Sequence, residues 1–122
     1  MRSRSTTALG QAAENHALAY LEKRGLKLLT RNYRWRGGEI DLILEDRGTL
    51  VFAEVRFRRN NRFGGALASV DARKQKRLIQ CAQHYLVRHR EDAPVRFDVV
   101  ALTATTGGFE LEWVRDAFQA EA

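Results

Sequence analysis

Hydrophobic positions along the chain switch between a helical and a strand period, and the switches mark its elements. Leu9, Ala13, Ala17, Tyr20 and Leu21 recur at helical spacing. With Thr6 or Thr7 as cap, Lys23 and Arg24 in the last turn and Gly25 as the stop, they predict a first helix ending near Arg24. Residues 26–35 read as a first strand. Residues 39–45 alternate, with Ile40, Leu42 and Leu44 on one face and Glu39, Asp41 and Ile43 on the other. Asp46-Arg47-Gly48 is a turn, and residues 50–58 form a third strand that starts as a continuous apolar run. The Asn- and Gly-rich stretch 60–65 is a loop. A second helix spans Asp71 to His89, burying Leu78, Ala82, Tyr85 and Leu86. Pro94 breaks the chain before a fourth strand over 95–102. After the Gly107-Gly108 turn, Phe109, Leu111 and Trp113 alternate with Glu110 and Glu112 in a fifth strand, half exposed and near an edge. Helix, three strands, helix, two strands is the order of an α/β sandwich with a mixed sheet. Hairpins join the first three strands and a helix allows a parallel crossover.

Composition keeps this within one domain covering residues 1–122. Of 122 residues, 44% are hydrophobic and 30% charged, which excludes wholesale disorder and collagen-like repeats. The lone Cys81 excludes an intrachain disulfide and a Cys-rich zinc module. The polar start and the lack of any run of about 18 apolar residues predict a cytoplasmic protein without signal peptide or membrane span.

The net charge of +6 says little until it is resolved along the chain. Residues 1–37 carry +6, 38–55 carry −4, 56–90 carry +9 and 91–122 carry −5. Blocks of this kind are usually solvated faces. The sharper reading is an acidic metal site within a basic nucleic-acid surface.

Two segments favour the sharper reading: Gly38-Glu39-Ile40-Asp41-Leu42-Ile43, and Phe52-Ala53-Glu54-Val55-Arg56. Asp41 and Glu54 are embedded in apolar strand sequence, where an uncompensated carboxylate is costly. A two- or four-residue hairpin loop at Asp46 to Thr49 makes paired residue numbers sum to 95, setting Asp41 opposite Glu54 on one sheet face. A three-residue loop would put them on opposite faces. Two opposed carboxylates call for a hard cation such as Mg²⁺ or Mn²⁺, with the Val55 carbonyl as a further ligand. Arg56, two residues from Glu54, points to the same side and can hold a phosphoryl oxygen. Glu14, at the edge of the first helix's apolar stripe, is a third candidate carboxylate. The plainer alternatives are an edge glutamate paired with a cation and, for Asp41 and Glu54, a buried ion pair with Arg56 and Arg58.

Arg73, Lys74, Lys76 and Arg77 crowd the start of the second helix, where cations oppose the helix dipole, so a phosphate ligand explains them better than helix energetics does. Arg58, Arg59 and Arg62 precede them and extend the basic surface. Weaker candidates are Trp35, Tyr33 and Phe63 for base stacking. Asp98 is expected to be a satisfied structural aspartate, and Cys81 a core residue. His16, His84 and His89 lack metal-ligand spacing.

With these residues laid out, the chain resembles the YraN family of small bacterial proteins over nearly its whole length. The likeness rests on residues 10–14, Tyr20-Leu21, Arg31-Asn32-Tyr33, the two segments above extended through Phe57-Arg58, Phe63-Gly64, Lys74-Gln75 and Arg96-Phe97-Asp98-Val99-Val100. That family in turn resembles restriction-endonuclease-like (PD-(D/E)XK) nucleases, archaeal Holliday-junction resolvases above all. The resemblance implies a restriction-endonuclease-like α-β-β-β-α-β-β fold, with Glu14, Asp41, Glu54 and position 56 as the site. It also implies a homodimer as one arrangement, since junctions have two-fold symmetry. The superfamily's lysine position holds Arg56. Lysine can handle a proton, whereas arginine stays charged and clamps. The leading expectation is therefore a nucleic-acid-binding protein, on DNA ahead of RNA, with a Mg²⁺- or Mn²⁺-dependent phosphodiesterase site. A non-catalytic nucleic-acid-binding protein on the same fold is the alternative. A protein-interaction adaptor docking through its acidic C-terminal segment is the weaker third.

Overall fold

The computed structural model describes residues 7–59, 65–89 and 92–120. Its elements are α1 (Ala8–Lys23), β1 (Lys27–Trp35), β2 (Gly38–Asp46), β3 (Thr49–Arg58), a 3₁₀ turn (Leu67–Ser69), α2 (Ala72–Arg88), β4 (Val95–Thr105) and β5 (Gly108–Phe118). They form the expected α/β architecture of restriction-endonuclease-like order: a five-stranded mixed sheet, β1-β2-β3-β4-β5, with a helix on each face. Only β3 and β4, joined through α2, run parallel. β5 is an edge strand and alternates in exposure, as its sequence predicts.

Local chemistry sets the boundaries. Thr7 caps α1 by accepting the Gly10 N–H at 2.9 Å, and Asp71 caps α2 by accepting that of Lys74. α1 ends in a Schellman arrangement: Gly25, at φ 92°, donates to the Glu22 carbonyl, and Leu26 donates to that of Leu21. The β2–β3 connection is the two-residue Arg47-Gly48, both at positive φ, so the turn twists with its strands. β4 outruns its sequence-based limit because its end, at Ala104 and Thr105, pairs with Phe109 and Gly108 in an exposed hairpin, and β5 runs on to Phe118, which pairs with Phe97 past a bulge.

Two clusters fill the two faces. Ala13, Ala17 and Leu21 of α1 pack on Leu42, Leu44, Val51, Ala53, Val100 and Leu102. Leu78, Cys81, Ala82 and Tyr85 of α2 pack on Ile40, Ile43, Phe52, Phe97 and Val99. Leu9, expected in the first stripe, is 49% exposed, because α1 meets the sheet only beyond its first turn.

One correction concerns β2. Strict alternation would group Ile40 with Leu42 and Leu44, yet Ile40 joins Ile43 against α2. The strand changes face at Asp41, and β1 changes with it. Tyr33, paired with Ile40, packs toward α2, whereas Arg31, paired with Leu42, reaches α1. Between them Asn32 sits at φ 53°, a left-handed conformation that asparagine tolerates better than most residues.

Asp98 is the satisfied structural aspartate that its sequence context suggests. Its carboxylate accepts bonds from Arg96, from the Trp113 indole at 2.9 Å and from the Asp116 N–H at 2.9 Å, tying β4 to β5 beside a bulge. Burial works against the charge on Arg96, but hydrogen bonds and charges from Asp98 and Asp46 outweigh it and hold the guanidinium above its ordinary range. Truncating Asp98 to Ala leaves Arg96 with Asp46 alone and takes the acceptor from the Trp113 indole and the Asp116 N–H. The expected loss is roughly 3–5 kcal/mol, read as a lowered denaturation midpoint in guanidinium titrations. Cys81 lies wholly inside, and burial pushes its thiol up to about 11. The folded protein should therefore resist alkylation by iodoacetamide at pH 8 and react only after unfolding. Alkylation of the native protein at the rate of a free thiol would refute that placement.

Candidate functional site

The candidate site is built where β2 and β3 part. Their ladder holds the predicted sum of 95 from Asp46↔Thr49 to Leu42↔Ala53 and ends there. Asp41 and Glu54 therefore do not meet as a directly opposed ladder pair. Instead the Asp41 carboxylate accepts the Val55 N–H at 2.8 Å, standing in for the backbone partner that the parted strands no longer supply. The face change at Asp41 is the physical reason.

The side chains then divide between two cavities. Asp41 and Glu14 line a cavity of about 240 Å³ together with Gly10, Val55, Arg56 and Phe57. Both carboxylates are almost fully buried, at 1% and 2% exposure. Glu14 is held by Arg31 at 2.7 Å and by the Asn32 amide at 3.3 Å, so the cation pairing expected of an edge glutamate is present. The same Asn32 amide donates to Glu39 at 2.8 Å. Glu54, 1% exposed, lies on the α2 side of the sheet. Its Oε2 is 3.5 Å from the Arg56 guanidinium and 3.3 Å from Lys74 Nζ. Arg56 thus connects the Asp41 cavity to Glu54. A cavity of about 160 Å³ lined by Gly38, Glu39, Lys74 and Arg77 opens on the Lys74 side.

Lys74 is the residue whose role its sequence position understates. It was expected among the phosphate-binding bases, yet its ammonium reaches a buried carboxylate. The signal was present: Lys74 stands four residues before Leu78 and seven before Cys81, so it continues the buried face of α2 by one turn. Gly38 lets α2 lie close, since a Cβ there would stand 3.4 Å from the Arg77 carbonyl. Arg31 and Asn32, the partners of Glu14, were also missed as site residues, because polar residues inside a strand read as exposed alternation.

The remaining bases scatter. Arg58 lies 3.7 Å from Glu112 of β5 and is largely covered. Arg59, Arg73, Lys76 and Arg77 are exposed. Arg62 and Phe63 fall outside the described residues. Tyr33 packs against Tyr85 and bonds His84, as a core-edge residue does.

Among the described residues, no three His, Cys, Asp or Glu side chains converge as a ready-made metal cage. The carboxylates that do share a cavity, Glu14 and Asp41, offer hard oxygens. Mg²⁺ is commonly bound through one or two carboxylates while keeping several waters, so this set suits it and Mn²⁺ better than a softer ion. No helix among the described residues is long and apolar enough to cross a membrane.

Comparison with known proteins agrees with the resemblance to the YraN family. The model of the uncharacterised protein family UPF0102 matches residues 13–102. A UPF0102 protein of Nitrosococcus oceani is 53% identical over 115 residues, spanning 93% of each chain. UPF0102 protein MCA0184 of Methylococcus capsulatus is 52% identical over 112 residues, covering 92% of this chain and 91% of its own. A Ralstonia pickettii UPF0102 protein is 52% identical over 122 residues, covering 96% and 94%. With half of its residues shared over nearly its whole length, the chain belongs to the UPF0102 (YraN) family.

Proposed function

We propose that the protein is a divalent-metal-dependent phosphodiesterase acting on nucleic acid, DNA ahead of RNA. The observation that carries this reading is the Lys74 ammonium 3.3 Å from the buried Glu54 carboxylate. Position 56 alone offers only an arginine, which keeps its charge and cannot exchange a proton with an attacking water. Lys74 supplies that capacity from the neighbouring helix. The carboxylate–lysine pair is thus assembled across two elements.

In this reading Asp41 and Glu54 would hold Mg²⁺ or Mn²⁺, with the Val55 carbonyl and, once released by Arg31, Glu14 in support. The ion would lower the barrier by activating water and neutralising charge on phosphorus-bound oxygens. The chain's own groups do the rest. Arg56, anchored by Glu54, clamps a non-bridging phosphoryl oxygen. Lys74 orients the attacking water beside Glu54 and exchanges a proton with it. Arg73, Lys76 and Arg77 hold the flanking backbone. Exposed Arg59 would add to the same basic surface.

A second reading has its own support. Every carboxylate at the site already has an organic cation or a backbone donor: Arg31 at Glu14, Val55 at Asp41, Arg56 and Lys74 at Glu54. Such a network suits a nucleic-acid-binding protein that keeps the fold without the reaction.

A cleavage panel of branched, flapped and single-stranded DNA and of RNA, run with Mn²⁺ or Mg²⁺, separates the two. On the preferred substrate, Asp41→Asn and Glu54→Gln should abolish cleavage. Lys74→Met should lower kcat by about 100-fold or more, the scale of a lost acid–base group. Lys74→Arg should preserve binding without restoring turnover. Salt-dependent binding of wild type with no cleavage in the whole panel would leave the second reading standing. Calorimetry adds a direct check, because Mg²⁺ and Mn²⁺ heats that are unchanged in Asp41→Asn and Glu54→Gln would remove the metal site.

A further inference from the structure

A larger cleft, of about 570 Å³, lies beside the candidate site and is not used by the reaction proposed above. Its floor is a stacked pair of rings: Trp35, at the end of β1, and His84, on α2, with centroids 4.6 Å apart and planes 16° from parallel. His84 is fixed from behind by the Tyr33 hydroxyl, 2.7 Å from Nδ1. Arg36 places its guanidinium 5.2 Å from the Trp35 ring centroid, and Arg77 also lines the cleft. Gln80 and Gln83 of α2 complete the polar part of the lining. The lining includes two cations and no carboxylate.

Each part of this lining suits one chemistry. Trp35 and His84 cover one face of each other, so a planar heterocycle of any identity would extend the stack from an outer face of the pair. Two guanidiniums favour an anion attached to that heterocycle. Glutamine amides both donate and accept, as the edge of a nucleobase requires. Volume in this range is that of small-ligand sites. The cleft also leads somewhere. Gly38 and Arg77 line both it and the smaller cavity that holds Lys74, and Lys74 touches Glu54.

We infer that the Trp35–His84 cleft receives one unpaired nucleobase of a nucleic-acid strand, with the phosphate joined to it held by Arg77 on the path to Glu54. This rests on the reading of the protein as one that processes nucleic acid, and it adds a preference for substrates with an unstacked nucleotide near the cleaved bond. A base in the cleft sets the register of the strand, while Arg77 and Lys74 receive the next phosphates. Fully paired DNA would offer no free base to the rings.

The test is binding in excess chelator, so that it does not depend on turnover. Fluorescence anisotropy would compare a labelled single-stranded oligonucleotide with a blunt duplex of the same length. Wild type should prefer the single strand. Trp35→Ala should weaken single-strand binding about ten-fold, the scale of one lost base–aromatic stack, and leave duplex binding unchanged. Trp35→Phe should recover most of the loss. Because Trp35 also touches the core, Val87→Asp provides a second probe. Val87 is 78% exposed at the cleft rim, so the change leaves the fold intact and sets a carboxylate against the incoming phosphate. It too should weaken the single strand selectively. Single-strand affinity unchanged in Val87→Asp and in folded Trp35→Ala overturns the inference, as does a wild type with no preference for single strands. Selective weakening without any cleavage by wild type would uphold the cleft and sink only the phosphodiesterase reading.

Discussion

Four carboxylates, Glu14, Asp41, Glu54 and Asp98, lie almost fully buried in this small sandwich, and the structure depends on how each is compensated. An ionised carboxylate left alone in such surroundings costs several kcal/mol, a large part of the stability of a domain this size. The compensation takes two forms. Asp98 is met by an indole, a guanidinium and a backbone N–H, which hold a bulge between neighbouring strands. Glu14 is met by Arg31 and Asn32, Asp41 by the Val55 N–H, and Glu54 by Arg56 and Lys74. The first arrangement ties two strands together. The second leaves two of its carboxylates, Glu14 and Asp41, beside a cavity.

The surroundings of Asp41 arise because two strands change face together. If β1 and β2 alternated strictly through Asn32 and Asp41, the sheet would pair continuously and Asp41 would have no reason to bind the Val55 N–H. The left-handed turn at Asn32 and the switch at Asp41 break that continuity. They bring Arg31 and the Asn32 amide to Glu14 on the α1 side and leave Ile40 and Tyr33 to the α2 side. Irregularities of this kind commonly occur next to functional sites, where they re-aim side chains.

Much of this was legible from the residues. Helix stripes, caps, the Schellman glycine and the Arg47-Gly48 hairpin depend on local periodicity and turn chemistry, so element order followed directly, while the register sum of 95 was one of two that the turn allowed. Asp41 and Glu54 stood out because charge within an apolar strand is conspicuous. What escaped was set by tertiary geometry. The face change depends on one asparagine's backbone angle, and no alternation rule registers it. Asp41 and Glu54 were expected to face one another, since ladder arithmetic assumes pairing to the strand's end. Lys74 was counted with the surface bases, because its reach to Glu54 depends on how closely α2 crosses β2 at Gly38. Trp35 and His84 are 49 residues apart, so no local pattern could join them in a cleft.

The same geometry bears on the arginine at position 56. A charge held beside Glu54 must be positive for that carboxylate to remain buried, and lysine or arginine satisfies that demand equally. Their chemistry differs only where a proton moves. In the proposed reaction the clamp stands on β3 and the proton-exchanging ammonium on α2, so two roles that one lysine can combine fall to different elements. The separation has a structural consequence. Lys74 can be positioned only if α2 is docked, and α2 is docked through Leu78, Cys81, Ala82 and Tyr85 against the sheet face that also carries Ile40 and Phe52. The completeness of the site is thereby linked to packing of the α2 face, and loosening that face would remove Lys74 from Glu54 while leaving Asp41, Val55 and Arg56 in place on their strands.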